Sequence, residues 1–255
     1  MSNGGAQAAP KLIRSQTFIV QKYIERPLLV NDRKFDIRVW VCVTQDLDVY
    51  FFREGYLRTS SQPYSMDSAN LDDDYVHLTN NAIQKNGPGY GTHEDGNQLS
   101  FAQFKEHLKA LCPNIDFDID IAAKMKYLSA LTLSTIKKKI NPNRRKHCYE
   151  LFGFDFFLDA DCNVFLIEVN TNPCLEESSR LLERLLPRML DDLFKLTIDQ
   201  VFLPTKELLL QYMQTQFQSV TSSLTGGAGR PSMLHHKKRP SLYPVEGYED
   251  SFNMW

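Results

Sequence analysis

An α+β fold, a mainly antiparallel sheet flanked by helices, is what these 255 residues predict. Three observations carry that reading: an alternating strand pair joined by a short turn near residue 45, a second hairpin near residue 160, and helical stretches set apart from both. Residues 1–16 read as a flexible leader. TFIVQKYI, 17–24, is strand-like, and the loop ERPLLVNDR after it is interrupted by Pro27. In KFDIRVWVCVT, 34–44, Phe35, Ile37, Val39, Val41 and Val43 alternate with Asp36, Arg38, Trp40 and Cys42, and LDVYFFR, 47–53, completes the pair. Residues 60–98, rich in Ser, Asn, Asp and Gly, are predicted to be mostly loop. Helices are predicted over 100–111, capped by Ser100, and over 118–140, stopped by Asn141 and Pro142. The amphipathic stretch 176–202 contains Pro187, placed to kink or divide it. From Ser219 onward core residues are scarce, so the sequence predicts one domain over 17–218 and a disordered tail over 219–255.

Composition bounds the function classes. With 42% hydrophobic and 24% charged residues the chain can bury a core, and no apolar run approaches the roughly eighteen residues of a membrane helix. The start MSNGGAQAAPKLIR lacks the apolar block of a signal peptide. Cys42, Cys112, Cys148, Cys162 and Cys174 form an odd, scattered set without a CxxC pair, which indicates neither a disulfide framework nor a zinc site and points to a reducing cytosol. Net charge is only -2, yet no acid occurs from Met125 through Tyr149, where KKKINPNRRK (137–146) concentrates cations. Such a run is ordinarily a solvated helix end; an acidic partner is the alternative.

FGFDFFLDADCNVFLIEVNTNP, 152–173, carries the chemistry. Alternation assigns Phe154, Phe156 and Leu158, and then Phe165, Ile167 and Val169, to a core face. A four-residue loop, Ala160 to Asn163, pairs Asp159 with Val164, Leu158 with Phe165, Phe156 with Ile167 and Phe154 with Val169. The same register sets Asp155 opposite Glu168, with Asn170 one step along. Cβ atoms so placed are about 5 Å apart, and two carboxylates there repel by roughly 3 kcal/mol at an effective dielectric of about 20. Either one is protonated, a cation sits between them, or the face simply looks at water. Mg²⁺, which takes oxygen ligands, is the cation such a set suits best.

Asp36 and Arg38 are two apart on one strand and share its polar face, and Arg58 follows in REGYLRTS. Arginine grips phosphate or carboxylate oxygens in two places, so a pair of them near one cation indicates phosphate handling. The competing reading is a surface salt bridge between Asp36 and Arg38. HLTN, 77–80, is weak alone, since such residues usually satisfy turn backbone.

Taken in order, QKYIERPLLV, RKFDIRVWV, FFREGYLRTSS, HLTNNAIQK, EDGNQLSF, LFGFDF and LIEVNTNP resemble the tubulin tyrosine ligase and tubulin tyrosine ligase-like family over about residues 18–204. The resemblance implies an ATP-grasp fold that phosphorylates a carboxylate of a protein substrate before an amine attacks it. It implies that Gln21, Lys22 and Ile24 line an adenine slot and that Lys34 and Asp36 reach the sugar and phosphates. Arg38 and Arg58 match the arginines holding the transferring phosphoryl group and the substrate carboxylate, with His77, Leu78, Thr79 and Asn80 beside them. Asp155, Glu168 and Asn170 match the magnesium ligands.

The expected reaction is therefore ATP- and Mg²⁺-dependent ligation of a free amino acid (tyrosine, glutamate or glycine) to a glutamate of the tubulin tail, in the cytoplasm on the cytoskeleton, cilium or flagellum included. That tail is acidic, so the alternative to a solvated helix end is that Lys137–Lys139 and Arg144–Lys146 help capture it. No nucleic-acid or membrane partner is expected. FFREGYLRTSS with HLTNNAIQK and the later EDGN is similar to the tyrosine-adding member, NTNPCLEESS to glutamate- or glycine-adding ones. In the family a front nucleotide lobe with a glycine-rich loop covers the phosphates, and only 17 residues precede FIVQKY here. The sequence thus predicts that this lobe is missing and that the chain alone binds ATP weakly without ligating. A noncatalytic tubulin- or microtubule-binding remnant is the other reading.

Overall fold

The structure, a computed structural model, describes residues 19–199 together with Val201, Phe202, Leu210, Met254 and Trp255. The predicted leader and all but the last two residues of the predicted tail lie outside the described residues. Six strands form one sheet: β1 (Leu29–Val30), β2 (Arg33–Thr44), β3 (Val49–Thr59), β4 (Gln98–Ser100), β5 (Tyr149–Leu158) and β6 (Val164–Asn170). Their order is β4-β3-β2-β5-β6, with β1 paired to β2, and every pairing is antiparallel. Helices flank the sheet, as the sequence predicts.

The alternation read in β2 decides which side each residue serves. Phe35, Ile37, Val39, Val41 and Val43 are buried in one core with Phe152, Phe154 and Phe156 of β5. Over this face lie α3 (Phe101–Leu111), contributing Phe104 and Leu108, and α4 (Ala123–Ile140), contributing Met125 and Leu133. Ser100 caps α3 through a reciprocal capping box with Gln103. A π-helical turn, Phe117–Ala122, capped by Asp116, leads into α4, and Asn141 takes its C-cap.

On the opposite face Trp40, Phe52 and Tyr56 meet α5 (Arg180–Thr197) through Leu182, Leu185, Leu186 and Met189. Helix α5 begins at Arg180, with Ser179 as its N-cap, later than the predicted start at 176. Pro187 does not divide it. The apolar stripe before and after the proline packs on the same sheet face, which offsets the one backbone hydrogen bond that proline removes. Met254 joins this second core, and its backbone nitrogen donates to Asp192 Oδ2 at 3.1 Å.

Two predictions are corrected. Residues 19–24 are not a strand; Ile19 and Val20 are largely exposed. No strand among the described residues pairs with them, and a lone strand leaves its backbone groups unsatisfied. The β5–β6 hairpin keeps Phe154↔Val169 and Asp155↔Glu168, but beyond them the register shifts to Phe156↔Leu166, Phe157↔Phe165 and Leu158↔Val164. Ile167 is the extra residue of a β-bulge. Strand parity flips there, so Val164, Leu166 and Val169 reach the core while Phe165 and Ile167 are 40% and 50% exposed.

Candidate active site

The polar face of the sheet carries a row of charges fixed by strand register. Arg58 of β3 stands opposite Asp36 of β2, and Arg38, two residues further along β2, stands opposite Asp155 of β5. Asp155 is in turn opposite Glu168 of β6. The guanidinium of Arg38 forks onto Asp155, with Nε to Oδ1 at 2.5 Å and Nη2 to Oδ2 at 2.9 Å. Arg58 bridges two acids, donating from Nε to Asp36 Oδ1 at 2.6 Å and placing Nη2 2.9 Å from Asp155 Oδ2. Thr79 Oγ1 donates to the other oxygen of Asp36. The anticipated Asp36–Arg38 salt bridge is replaced by these cross-strand pairs.

Burial disfavours the Asp155 carboxylate, but the hydrogen bond from Arg38 and the charges of Arg58 and Arg38 outweigh it and hold its pKa below the ordinary value. Burial likewise opposes the charged forms of both arginines, and their acidic partners raise them above the usual arginine value. The repulsion anticipated between Asp155 and Glu168 is therefore relieved by two arginines. Asn170 Nδ2 lies 3.3 Å from Asp155 Oδ2 and 3.2 Å from Glu168 Oε1, tying both acids together. Gly153 makes room for this arrangement. A Cβ there would stand 2.8 Å from Pro173 Cβ and 3.3 Å from Arg38 Nε.

HLTN is presented between two single-turn helices, α1 (Asp74–His77) and α2 (Asn81–Gln84). His77 Nδ1 meets the Tyr23 hydroxyl at 2.9 Å, and Lys34 Nζ donates to that hydroxyl at 3.1 Å and to the His77 carbonyl at 2.9 Å. Burial lowers the Lys34 pKa below the usual lysine value, with Asp36 partly opposing it.

Most of these residues border a cleft of about 590 Å³, within the range of small-molecule sites. Gln21, Lys22, Ile24, Lys34 and Asp36 line it, although the first three do so from irregular chain and not from the predicted strand. Arg58, His77, Leu78, Thr79, Asn80, Asp155 and Glu168 complete the predicted part of its wall, with Arg38 and Asn170 bonded directly to Asp155 behind it. The structure thus brings every predicted site residue together.

Several residues escaped the sequence reading. Phe157, Phe165 and Ile167 form an apolar wall, and Lys34 Nζ lies 5.9 Å from the Phe157 ring centroid. Phe157 was within reach, since it alternates in phase with Asp155. Gln84, fully buried, accepts from Ser61 N at 2.8 Å and donates to the Leu78 carbonyl, which fixes the HLTN turn. Arg33 and Glu94 form a buried ion pair that also engages Thr59.

The donor set fits Mg²⁺. Asp155, Glu168 and Asn170 supply hard oxygens at one spot, and the amide of Asn170 can be turned over to present its oxygen. Among the described residues no cluster of three or more His, Cys, Asp and Glu side chains is placed to hold a metal ion. A metal that takes one or two carboxylates and completes its shell with phosphate and water needs none. The apolar wall suits a flat base, and Lys34 and Arg58 suit phosphates.

KKKINPNRRK lies elsewhere. Helix α4 covers the sheet face opposite the cleft, and the loop after it enters β5 at Tyr149, roughly 20 Å along the strand from Asp155 at about 3.3 Å per residue.

Comparison with known proteins places the chain. The model of the Tubulin-tyrosine ligase family matches residues 5–208. Tubulin glycylase 3B of Tetrahymena thermophila is 36% identical over 185 residues, covering 71% of this chain and 15% of its own length. Tubulin monoglycylase TTLL3 of Danio rerio is 36% identical over 198 residues, covering 74% of this chain and 25% of its own length. The probable alpha-tubulin polyglutamylase Ttll1 of Tetrahymena thermophila is 30% identical over 203 residues, covering 76% and 47%. The chain thus spans less than half the length of these relatives.

Proposed function

The chain belongs to the tubulin-tyrosine ligase family, and from that premise we propose that it ligates a free amino acid, glycine in the first instance, to a glutamate of the acidic C-terminal tail of tubulin, using ATP and Mg²⁺. The observation that carries this reading is the charged row from Arg58 to Glu168 on the floor of a cleft with one apolar wall. Glycine comes first because glycylases of Tetrahymena, fish, fly and human match at 33–37% identity, above the polyglutamylase at 30%.

A carboxylate is a poor electrophile. The γ-phosphoryl group of ATP is transferred to it, ADP leaves, the amine of the amino acid attacks the acyl carbon, and phosphate departs as the amide forms. Arg58, and Arg38 behind Asp155, supply fixed positive charge where negative charge develops on the phosphoryl oxygens. Lys34 is held by Tyr23 and His77 toward the phosphates. Thr79, through Asp36, keeps Arg58 in place. Phe157, Phe165 and Ile167 stack on the base and exclude water. Asp155, Glu168 and Asn170 would hold Mg²⁺, which when bound neutralises phosphate charge. Such an activity belongs in the cytoplasm on microtubules, those of cilia or flagella included.

The test is mass spectrometry of tubulin incubated with the chain, Mg²⁺, ATP and isotopically labelled glycine, glutamate or tyrosine in parallel. The expected result is ATP-dependent addition of glycine mass to a tail glutamate when the chain is joined to the family's front nucleotide lobe, and no addition by the chain alone. Tubulin binding that ignores nucleotide, with no ATP turnover, would establish the noncatalytic remnant instead.

A further inference from the structure

We propose that the end of α4 and the loop after it form a docking surface for an acidic peptide segment, separate from the cleft. Lys137, Lys138 and Lys139 close the helix, Arg144, Arg145 and Lys146 follow, and all six are exposed. Among the described residues none of them forms an ion pair. Unneutralised like charges so close together repel, and an anionic partner relieves that repulsion.

The loop is pinned. Asn141 Nδ2 donates to the Gln45 carbonyl at 3.3 Å and to the Arg145 carbonyl at 2.9 Å, while its Oδ1 accepts from Arg145 N at 2.8 Å. His147 N donates to Gln45 Oε1. The loop backbone that carries Arg144–Lys146 is therefore set in place, so a ligand has mainly to order the side chains. Tyr127 and Leu131, 58% and 48% exposed and one helical turn apart, extend the surface along the outer side of α4.

Apolar side chains beside cations suit a peptide carrying both carboxylates and apolar groups better than a phosphate backbone. The chain's overall charge of -2 likewise disfavours a long polyanion. Because the surface lies on the far side of the sheet from the cleft, it holds a substrate by a second point and raises its local concentration at the site. That the acidic partner is tubulin rests on the function proposed above; that the surface binds acidic peptide does not.

The experiment titrates the full chain with a fluorescein-labelled deca-glutamate peptide by anisotropy, and with ATP and Mg²⁺ in parallel to report on the cleft independently. Reversing four charges (K137E, K138E, R144E, R145E) is expected to weaken peptide binding about tenfold or more and to flatten its salt dependence, with ATP affinity unchanged. The neutral variant K137Q/R144Q should fall between, which guards against a folding defect in the first. Peptide affinity indifferent to both variants, absence of peptide binding, or tighter binding of duplex DNA or phosphatidylserine vesicles would each overturn the proposal.

Discussion

Asp155 and Glu168 face each other across one strand pair, yet their surroundings set them different tasks. Asp155 is 1% exposed and balances two guanidinium groups, whereas Glu168 is exposed and, among the described residues, hydrogen-bonded by Asn170 alone. Asp155→Asn should therefore leave two arginines under-compensated and cost about 3–5 kcal/mol of stability in urea unfolding, while Glu168→Gln should cost less than about 1 kcal/mol. In amino-acid transfer the weight shifts to the exposed acid. In the chain joined to the family's front nucleotide lobe, Glu168→Gln should lower turnover at least about a hundredfold, a loss of a few kcal/mol of transition-state stabilisation, measured as glycine incorporation per hour. Lys34 adds a pH dependence. Its folded pKa is lowered by burial, so between that value and the ordinary ~10.4 the unfolded chain binds the extra proton and stability rises with pH. Over the same window the cation offered to phosphate disappears. ATP affinity should fall as pH climbs toward that window, and Lys34→Arg, which stays charged, should hold its affinity flat in the same titration.

At the scale of elements, parity explains what could be read and what could not. From Phe35 to Val43 of β2 every second residue is apolar and those between are Asp36, Arg38, Trp40 and Cys42, so facing was legible from the sequence alone. In β6 the run Val164–Phe165–Leu166–Ile167 is apolar on both parities, and nothing in it marks where a bulge falls. The carboxylate pair was still placed correctly because the bulge lies beyond it, between Glu168 and the turn. Over its described residues, 19–24, the strand predicted for 17–24 fails for a related reason: β-branched and aromatic residues report fitness for a sheet, not the presence of a neighbour to pair with. Deleting Ile167 tests the bulge. Without it Leu166 still pairs with Phe156 in the core and Glu168 still faces Asp155, so the fold should melt within a few degrees of the parent. The cleft loses part of its apolar wall, and ATP should bind several-fold more weakly in a fluorescence titration.

For the whole molecule, one sheet serves two cores. The face against α3 and α4 is apolar throughout, while the other is divided between the cluster under α5 and the cleft. That division was half visible. Asp36, Arg38, Asp155 and Glu168 stood out because charge at strand positions needs a reason, whereas Trp40 on the same parity gave no sign that α5 would cover it. Gln84 and the Arg33–Glu94 pair were invisible because their partners are brought together only by the fold, 61 residues apart in the case of the ion pair. The account's central claim is that this charged row is a metal-dependent nucleotide site. Equilibrium titration of the chain with ATP, in Mg²⁺ and again in EDTA, on the parent and on Glu168→Gln, tests it most directly. The prediction is binding that needs Mg²⁺ in the parent and is weakened about tenfold or more by the substitution. Equal affinity in all four titrations would contradict the account.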